Sequence, residues 1–592
     1  MNNSAKHFLS KVLVLLLVLY SSLTFSANVV KGNSSLSWNF KDTQFKNLGT
    51  LTSTVTIDDL SLIATSSKTM SVISNSQTVD GISYPNCLSL GGAGTTSYRA
   101  VKVPVTGNDT IKVTCMSSGS ASRTLIVANS SGSQLGTISA GTTAATNSYT
   151  YSGAAGYVYL YSSNSNINIY KIQVDSTTSS SSSSSSGTTV TSYSALVSAI
   201  TTAEKNGGGT IYVSGSSLSC SGQLLLSAQN ANVCIEGVKN SDGTYPVLDF
   251  STFRQSYIGT ATSDSQVGIR ITGSNYTIKN LIIEKAPDNG IQIKGSSAGN
   301  NRVENCITRY NNDAGLQITG GAYSNTICFV YSYRNCDVYT LGGNADGFAP
   351  KLGAGKGNTF YGCYAWENSD DGWDSYDKTS LTYDLSYEEC ATWNNGDPTI
   401  FTGQYDFNNG NALDTNLLLV ELITQKDSSF ASNYANGSFS LPTGSFISTS
   451  SGTLSLSNWV SNYDGNPNGF KFGSSYSTSS CVRTVKNCLA FGHGKKGFDN
   501  NNSACTASFT NTVAFDNGYN YYIAPFTLTN FTNTLGFSGS SSDKLPSGFS
   551  VTTPSSSVQS SIRSTVTSTK NNIISKCKKN IIPGEVYFDI YD

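Results

Sequence analysis

Glycine followed by a large apolar residue recurs through the second half of the chain, and this repeat constrains the fold more than any other feature. The glycines stand at positions 268, 290, 315, 347, 372, 469, 497 and 518. Several of the intervals lie between 21 and 28 residues, about one coil of a parallel β-helix. Each coil buries its side chains against the coils above and below, so equivalent positions carry similar residues. We therefore predict a parallel β-helix.

Three further patterns refine this prediction. The interval from Gly372 to Gly469 exceeds one coil, so we expect an extra corner at Gly396 and an insertion near residues 398–465. The segment "ALVSAITTAEKNGGGTIYVSG" predicts a capping helix followed by the first strand, which protects the open end of the stack. Asparagines also repeat, and they predict inward-facing ladders whose amides bond between coils at positions 280, 305, 487 and 511.

The chain divides into four parts by composition, and the fold class is all-β. Residues 1–27 contain a short apolar run after two lysines and predict a cleaved secretory signal. Residues 28–175 show short alternating stretches typical of a β-sandwich. Residues 176–189 are a Ser-rich linker. Residues 190–592 form the predicted β-helix domain.

The sandwich has two possible roles. A sandwich joined by a Ser-rich linker to an exported enzyme commonly binds carbohydrate, and aromatic rings supply stacking faces. Alternatively, the aromatic residues belong to the core of a spacer domain. The residues in question are Trp38, Tyr98, Tyr149 and Tyr157.

The charge content excludes some partners. Only 12% of the residues are charged and the net charge is −1, which argues against capture of nucleic acid or of an anionic membrane surface. We expect an exported, extracellular monomer with no membrane contact in its mature form. Thirteen cysteines are an odd number, so at least one thiol is expected to be free.

Four aspartates stand beside two of the repeated glycines. Asp346 lies in "NADGFAPK", whereas Asp370, Asp371 and Asp374 lie in "WENSDDGWD". If the glycines align, neighbouring coils are about 4.8 Å apart and Asp346 lies directly beneath Asp371. Four anions so close repel one another unless a cation is present, and all-oxygen ligands fit Ca²⁺ better than Mg²⁺. The alternative is that each Asp-Gly is only a turn.

Several lysines are candidates for contact with a substrate. Lys471 lies two residues after its glycine, as Asp374 does. With a coil at Gly396 between them, the two would stand about 10 Å apart, and the gap would admit a sugar ring. A neutral lysine there suits removal of the C5 proton of a polyuronate such as pectate, with Ca²⁺ taking up the developing charge. Further lysines are predicted to pair with substrate carboxylates: Lys351, Lys378, Lys495 and Lys496.

The segments "NADGFAPK", "WENSDDGWD" and "NPNGFKFG" resemble, in order, the motifs of the family 9 polysaccharide lyases. The resemblance covers roughly residues 190–540. It implies a right-handed parallel β-helix and a Ca²⁺-dependent pectate lyase that cleaves α-1,4-linked polygalacturonate and leaves 4,5-unsaturated ends. It further implies that Lys471 is the Brønsted base and that the calcium ligands are Asp346, Asp370, Asp371 and Asp374.

Two other readings stay open at this point. A polygalacturonase-type β-helix hydrolase is suggested by "NADG", "SDDG" and the "GHG" at residues 492–494. However, Ala345 stands where that family has threonine, no Arg-x-Lys follows the histidine, and hydrolysis needs a carboxylic acid that stays protonated. A non-catalytic polysaccharide-binding protein would explain the sandwich and the repeats but leaves the aspartates and Lys471 without a role.

Overall fold

The computed structural model describes residues 36–590, except 58–59, 80–81, 108, 131, 177–186, 260–262, 379–382 and 450–451. The predicted signal at residues 1–27 and most of the predicted linker therefore lie outside the described residues. The chain forms two compact units that divide between Ser184 and Ser185. No helix in the described part of the chain is both long enough and apolar enough to cross a membrane.

The first unit is a sandwich of two antiparallel sheets, as predicted. The first sandwich sheet consists of Leu36–Asn39, Thr50–Leu51, Met70–Val79, Ile82–Ser89, Asp109–Ser117, Ala145–Thr150 and Ile167–Ser176. The second sandwich sheet consists of Val55–Ile57, Leu60–Ile63, Ala100–Gly107, Arg123–Ala128, Gln134–Ala140 and Ala154–Ser162. A short helix, Thr43–Lys46, follows the first strand.

The core of the sandwich lies between the inward faces of these sheets, where every second side chain is apolar and buried. Trp38 is 2% exposed and belongs to this core, so it offers no stacking face. The hydroxyl of Tyr149 donates to the carbonyl of Leu135 at 3.0 Å. Tyr157 is 44% exposed, and Tyr98 is half-buried. The aromatic residues named from sequence thus divide between core and surface.

The second unit is a parallel β-helix built from two long sheets. The wide sheet consists of Thr188–Val190, Gly209–Val213, Ser217–Ser219, Val233–Gly237, Val247–Asp249, Tyr276–Lys279, Ile282–Glu284, Arg302–Arg309, Thr326–Tyr333, Asn358–Tyr361, Tyr364–Trp366, Leu385–Glu388, Ala391–Trp393, Val482–Lys486, Leu489–Phe491, Thr506–Phe515 and Thr527–Phe537. The narrow sheet consists of Leu224–Leu226, Ile269–Ile271, Ile291–Lys294, Leu316–Thr319, Phe348–Pro350, Trp373–Asp374, Phe470–Lys471, Lys496–Asp499 and Tyr519–Tyr522.

The glycine repeat marks the start of the narrow-sheet strands, and the register of these strands confirms the predicted column of apolar residues. Phe348 pairs with Trp373, and Trp373 pairs with Phe470. Their rings stack inside the coil, with centroids 4.7 Å and 4.6 Å apart. The last repeat is wrong by two residues, because Phe498 pairs with Tyr521 and not with the residue after Gly518.

The capping helix is present at Tyr193–Lys205, and Ser192 caps its first turn by accepting a hydrogen bond from the Ala195 N–H. Sequence reasoning missed the strand that precedes the helix. Thr188–Val190 pairs in parallel with Gly209–Val213, so the β-helix begins within the last residues of the predicted linker.

The predicted corner at Gly396 is wrong. Strand Trp373–Asp374 pairs directly with Phe470–Lys471, with no coil between them. The chain leaves the coil after Ala391–Trp393, and Gly396 lies where the departing and returning segments touch: an added Cβ would meet the Cα of Pro467 at 2.3 Å. The insertion consists of Pro398–Phe401, Gln404–Asn408, Leu418–Lys426, Phe430–Ala435, the hairpin Ser445–Thr449 and Gly452–Ser455, and the helix Leu456–Ser461.

Asparagine ladders exist, but the predicted members are not the buried ones. Asn280 and Asn305 are half-buried, have positive φ at bends of the wide sheet, and are bonded to each other at 2.5 Å. The buried ladder bonds side chain to side chain between successive coils. Its members are Asn311, Asn335, Asn368, Asn395, His493 and Asn517.

The C-terminal segment covers an outward-facing stack of aromatic rings on the wide sheet. Helix Ser556–Lys578 lies along it, and Arg563 stands 5.0 Å from the ring centroid of Phe515. Two shorter helices, Ser251–Gln255 and the 3₁₀ turn Val338–Thr340, complete the unit. All thirteen cysteines are free thiols, and all but Cys234 are buried.

Candidate functional site

The site forms where two neighbouring coils enter the narrow sheet. Phe348 N–H donates to the carbonyl of Gly372 at 2.9 Å, so the two glycine corners lie on adjacent coils. Asp371 N–H donates to the carboxylate of Asp346 at 3.1 Å, which confirms that Asp346 lies beneath Asp371. Glycine is required at 372, because an added Cβ would stand 2.2 Å from Oγ1 of Thr392.

Three of the four predicted aspartates converge. Asp346, Asp371 and Asp374 each offer a carboxylate oxygen, and these atoms lie within 4.8 Å of one another. The three residues are buried, at 0%, 0% and 3% exposure. Buried carboxylates so close together need positive charge beside them. The group therefore has the donor chemistry of a site for a hard cation.

Asp370 lies beside this group but faces another way. One of its carboxylate oxygens accepts the backbone N–H of Asn344 at 2.8 Å, and the other accepts that of Asn466 at 2.7 Å. Burial raises the pKa of Asp370. Asp370 thus ties the returning end of the insertion to the site, and its predicted role as a metal ligand stays a prediction.

Two lysines lie within the acidic group. Lys471 Nζ is 3.0 Å from Asp371 and 3.3 Å from Asp374. It was expected about two coils away, and the shift follows from the missing corner at Gly396. Lys351 Nζ is 2.7 Å from Asp346 and 3.3 Å from Asp374. Lys351 is only 6% exposed, and its predicted contact with substrate stays a prediction.

Burial and charge act against each other in this cluster. Burial raises the pKa of Asp346 and Asp371 well above that of an ordinary carboxyl group. Burial acts the same way on Asp374, but the charges of Lys471 and Lys351 outweigh it and hold its pKa below the usual value. For Lys471 burial acts to lower the pKa, yet the carboxylates of Asp371 and Asp374 outweigh it and raise the pKa above the ordinary value.

The site fits a calcium ion in charge and in donor atoms. Four carboxylates and two ammonium groups leave a formal charge of −2, which a divalent cation balances. Asn468, which sequence reasoning missed, donates its side-chain amide to Asp371 at 2.8 Å. Its own Oδ1 is buried and has no hydrogen-bond partner among the described residues. A neutral oxygen donor therefore lies beside the carboxylates, in keeping with the mixed oxygen ligands of Ca²⁺.

Two of the remaining predicted lysines lie near the site, because the strand Lys496–Asp499 pairs with Phe470–Lys471 and Lys495 contacts Asn466, whose N–H donates to Asp370. Lys378 is exposed. Lys495 is exposed and bonds to the side chain of Asn466 at 3.3 Å. Lys496 pairs with Asp499 at 3.0 Å and is half-buried. Their contact with substrate stays a prediction.

His493, the histidine of the "GHG" segment, lies in the interior. It is 1% exposed and occupies one rung of the buried asparagine ladder, between Asn395 and Asn517. Burial lowers its pKa to about 4. A neutral histidine enclosed in the ladder cannot meet a polysaccharide, so its likeness to a polygalacturonase motif reflects packing.

The fold and site define a class: a parallel β-helix with a buried acidic cluster on one sheet and a lysine beside it. A family of known proteins matches part of the chain. Residues 176–413 match the family described as "Pel9A-like, right handed beta helix region". This match confirms the right-handed parallel β-helix and the resemblance to family 9 lyases.

Several curated relatives carry the name pectate lyase L. The chain is 32% identical over 350 residues to pectate lyase L of Paenibacillus polymyxa, covering 57% of this chain and 62% of the relative. It is 29% identical over 275 residues to pectate lyase L of Dickeya chrysanthemi, covering 46% of this chain and 48% of the relative. The chain thus spans about half to three-fifths of these relatives. The crystal structure of pectate lyase Pel9A aligns with 22% identity and a TM-score of 0.40, covering 59% of this chain and 73% of that one.

Proposed function

We propose that the β-helix unit is a pectate lyase that cleaves polygalacturonate by β-elimination. In this proposal Asp346, Asp371 and Asp374 hold Ca²⁺, with Asp370 as the fourth acidic residue, and Lys471 is the base. The family match and the pectate lyase relatives support the activity. The single observation that carries the residue assignment is the pairing of Asp374 with Lys471 on adjacent strands.

The strand pairing supports the choice of Lys471 as the base. Because Asp374 and Lys471 are paired, their side chains leave the same face of the narrow sheet. Lys471 is half-buried, whereas Lys351 is buried beneath two carboxylates. Lys471 is therefore the amine of the cluster that is better placed to reach a sugar ring.

The elimination begins with loss of the C5 proton of a galacturonate unit. This proton is hard to remove because it is adjacent to a carboxylate. A Ca²⁺ held by Asp346, Asp371 and Asp374 would neutralise that carboxylate and the charge that develops on it. Nζ of Lys471 accepts the proton, the C4–O bond to the leaving sugar breaks, and a C4=C5 double bond forms. The departing oxygen takes up a proton, so that the products are a free hydroxyl and an unsaturated uronate.

The base must be neutral to accept a proton. The carboxylates of Asp371 and Asp374 raise the pKa of Lys471, and their charge is what keeps it protonated. When that charge is neutralised, burial of the amine favours its uncharged form. We therefore expect catalysis to require both a divalent cation and alkaline conditions.

Digestion of polygalacturonate tests this function directly. We expect ultraviolet absorbance from the unsaturated product with calcium, none after chelation, and none from Lys471→Ala at any calcium concentration. Lys486→Ala is a matched control, since this lysine pairs with Glu388 at 2.6 Å on the wide sheet and is 40% exposed. Release of reducing ends without unsaturated product would establish hydrolysis. Near-normal activity of Lys471→Ala would show that Lys471 is not the base.

We also propose that residues 1–27 are removed on export. N-terminal sequencing of protein recovered from the culture medium would then begin near Asn28. Recovery of the full-length chain from the cells alone would refute export.

A further inference from the structure

The outward face of the second sandwich sheet carries a stripe of aromatic residues. On the central strand Ala154–Ser162, Val158 and Leu160 point into the core and are fully buried. Side chains alternate along a strand, so Tyr157, Tyr159 and Tyr161 share the opposite face. Tyr157 is 44% exposed, and Tyr159 and Tyr161 are half-buried. Three rings thus line one strand at the middle of the sheet.

Cations accompany these rings. Lys102 is directly opposite Tyr159 on the neighbouring strand, and its Nζ lies 3.9 Å from the ring centroid of Tyr157. In the connections that border this sheet, Lys68 Nζ lies 5.7 Å from the ring centroid of Tyr98. Within the described part of the chain, neither lysine forms a salt bridge to a carboxylate. Their positive charge is therefore available to an anionic ligand.

The first sandwich sheet provides a contrast. On its outward face Lys112 pairs with Asp175 at 2.7 Å, and Gln173 lies opposite Lys112. The positive charge of Lys112 is thus already balanced by a carboxylate. The outward face of the second sheet combines a row of three rings with Lys102, which has no salt bridge among the described residues.

We propose that this tyrosine face is a second binding site, separate from the β-helix, for chains of an acidic polysaccharide. Sugar rings stack on aromatic side chains through their apolar C–H faces, and the carboxylates of a polyuronate are complementary to Lys102 and Lys68. The choice of polygalacturonate among acidic polysaccharides rests on the proposed function. The face would hold the unit on the polymer from which the β-helix takes its substrate.

Affinity electrophoresis of the full chain, in gels containing polygalacturonate and a chelator, tests this site without turnover. We expect polygalacturonate to retard the protein more strongly than neutral galactan does. Lys102→Ala and the double variant Tyr157→Ala/Tyr159→Ala are each expected to bind about tenfold more weakly. Lys112→Ala removes a lysine from the opposite sheet and is expected to bind as the unmodified chain does.

Two results would overturn the proposal: equal retardation by galactan and polygalacturonate, or unchanged binding by both Lys102→Ala and the tyrosine variant. Circular dichroism checks that the variants fold, and Lys102→Ala alone keeps the test decisive if the double variant does not. Activity on short soluble oligogalacturonates separates the two proposals. This activity is expected to be the same in the unmodified chain and in all these variants. If none of them is active, the proposed lyase function is refuted and the binding result still stands.

Discussion

Replacement of Lys351 by methionine would remove the most deeply buried cation of the acidic cluster while keeping a side chain of similar length. Its Nζ lies 2.7 Å from Asp346, which is fully buried. Loss of one partner from a buried ion pair leaves an uncompensated charge and costs about 3–5 kcal/mol. By contrast, Lys486 pairs with Glu388 near the surface, at 40% and 35% exposure, and such a pair contributes about 0–1 kcal/mol.

The expected loss translates into a measurable shift in thermal stability. The β-helix unit holds about 400 residues, so its entropy of unfolding is about 0.8 kcal/mol/K. In chelator, Lys351→Met is therefore expected to lower the unfolding midpoint of this unit by about 4–6 °C. The control Lys486→Met is expected to lower it by about 1 °C or less.

Calcium provides the second arm of the experiment, which scanning calorimetry can follow. An ion that binds only the folded state at about 100 times its Kd adds about 2.7 kcal/mol of stability. Because the variant has one positive charge fewer beside the carboxylates, calcium is expected to raise its midpoint by more than it raises that of the unmodified chain. A variant that is no less stable than the Lys486→Met control, or that does not respond to calcium, would refute this account of the cluster.

Three further predictions follow from the same contacts. Asp371→Asn removes one of the converging carboxylates and is expected to raise the calcium concentration for half-maximal activity about tenfold, measured by titration of lyase activity; an unchanged requirement would contradict its role as a ligand. His493 has a pKa lowered to about 4 by burial, so the folded state binds fewer protons than the unfolded state between pH 4 and its usual value of about 6.5. The contribution of His493 to the free energy of unfolding is then fully present above about pH 6.5 and falls by up to about 3 kcal/mol as the pH drops to about 4. Denaturant unfolding of His493→Asn is expected to lack this pH dependence. Gly372→Ala places a Cβ 2.2 Å from Thr392 and is expected to cost about 1–3 kcal/mol, whereas Gly494→Ala meets nothing nearer than 3.4 Å and serves as its control in thermal unfolding.

The β-helix was predictable because its repeat is a steric requirement visible in the sequence. At Gly372 and Gly347 a side chain would collide with the next coil, at 2.2 Å and 2.6 Å. The apolar residue after each glycine then stacks on its equivalents, as Trp373 does on Phe470. The adjacency of Asp346 and Asp371 followed from the same alignment, and so did the acidic site.

Other features depended on contacts that no local pattern encodes. A glycine at 396 looks like a coil corner, but it stands where Pro467 packs against the chain, and this error displaced Lys471 by one coil. The asparagine ladders differ in burial, which the sequence pattern does not show: Asn280 and Asn305 are half-buried, whereas Asn335 and Asn368 are buried. Lys351 and Asn468 lie within the quoted motifs "NADGFAPK" and "NPNGFKFG", but only the coil stacking shows that both contact the aspartates.

Asp374 and Lys471 are neighbours because two strands of two residues each, Trp373–Asp374 and Phe470–Lys471, pair with each other. The second of these strands follows the insertion. A shift of one residue in the register of these strands would turn Lys471 toward the interior and place a phenylalanine beside the acidic cluster. Two hydrogen bonds hold the C-terminal end of the insertion. Asp370 accepts the backbone N–H of Asn466, and the Tyr463 hydroxyl donates to the carbonyl of Ser369. We therefore expect sequence changes within the insertion to be tolerated as long as these two hydrogen bonds preserve the register of the strand Phe470–Lys471.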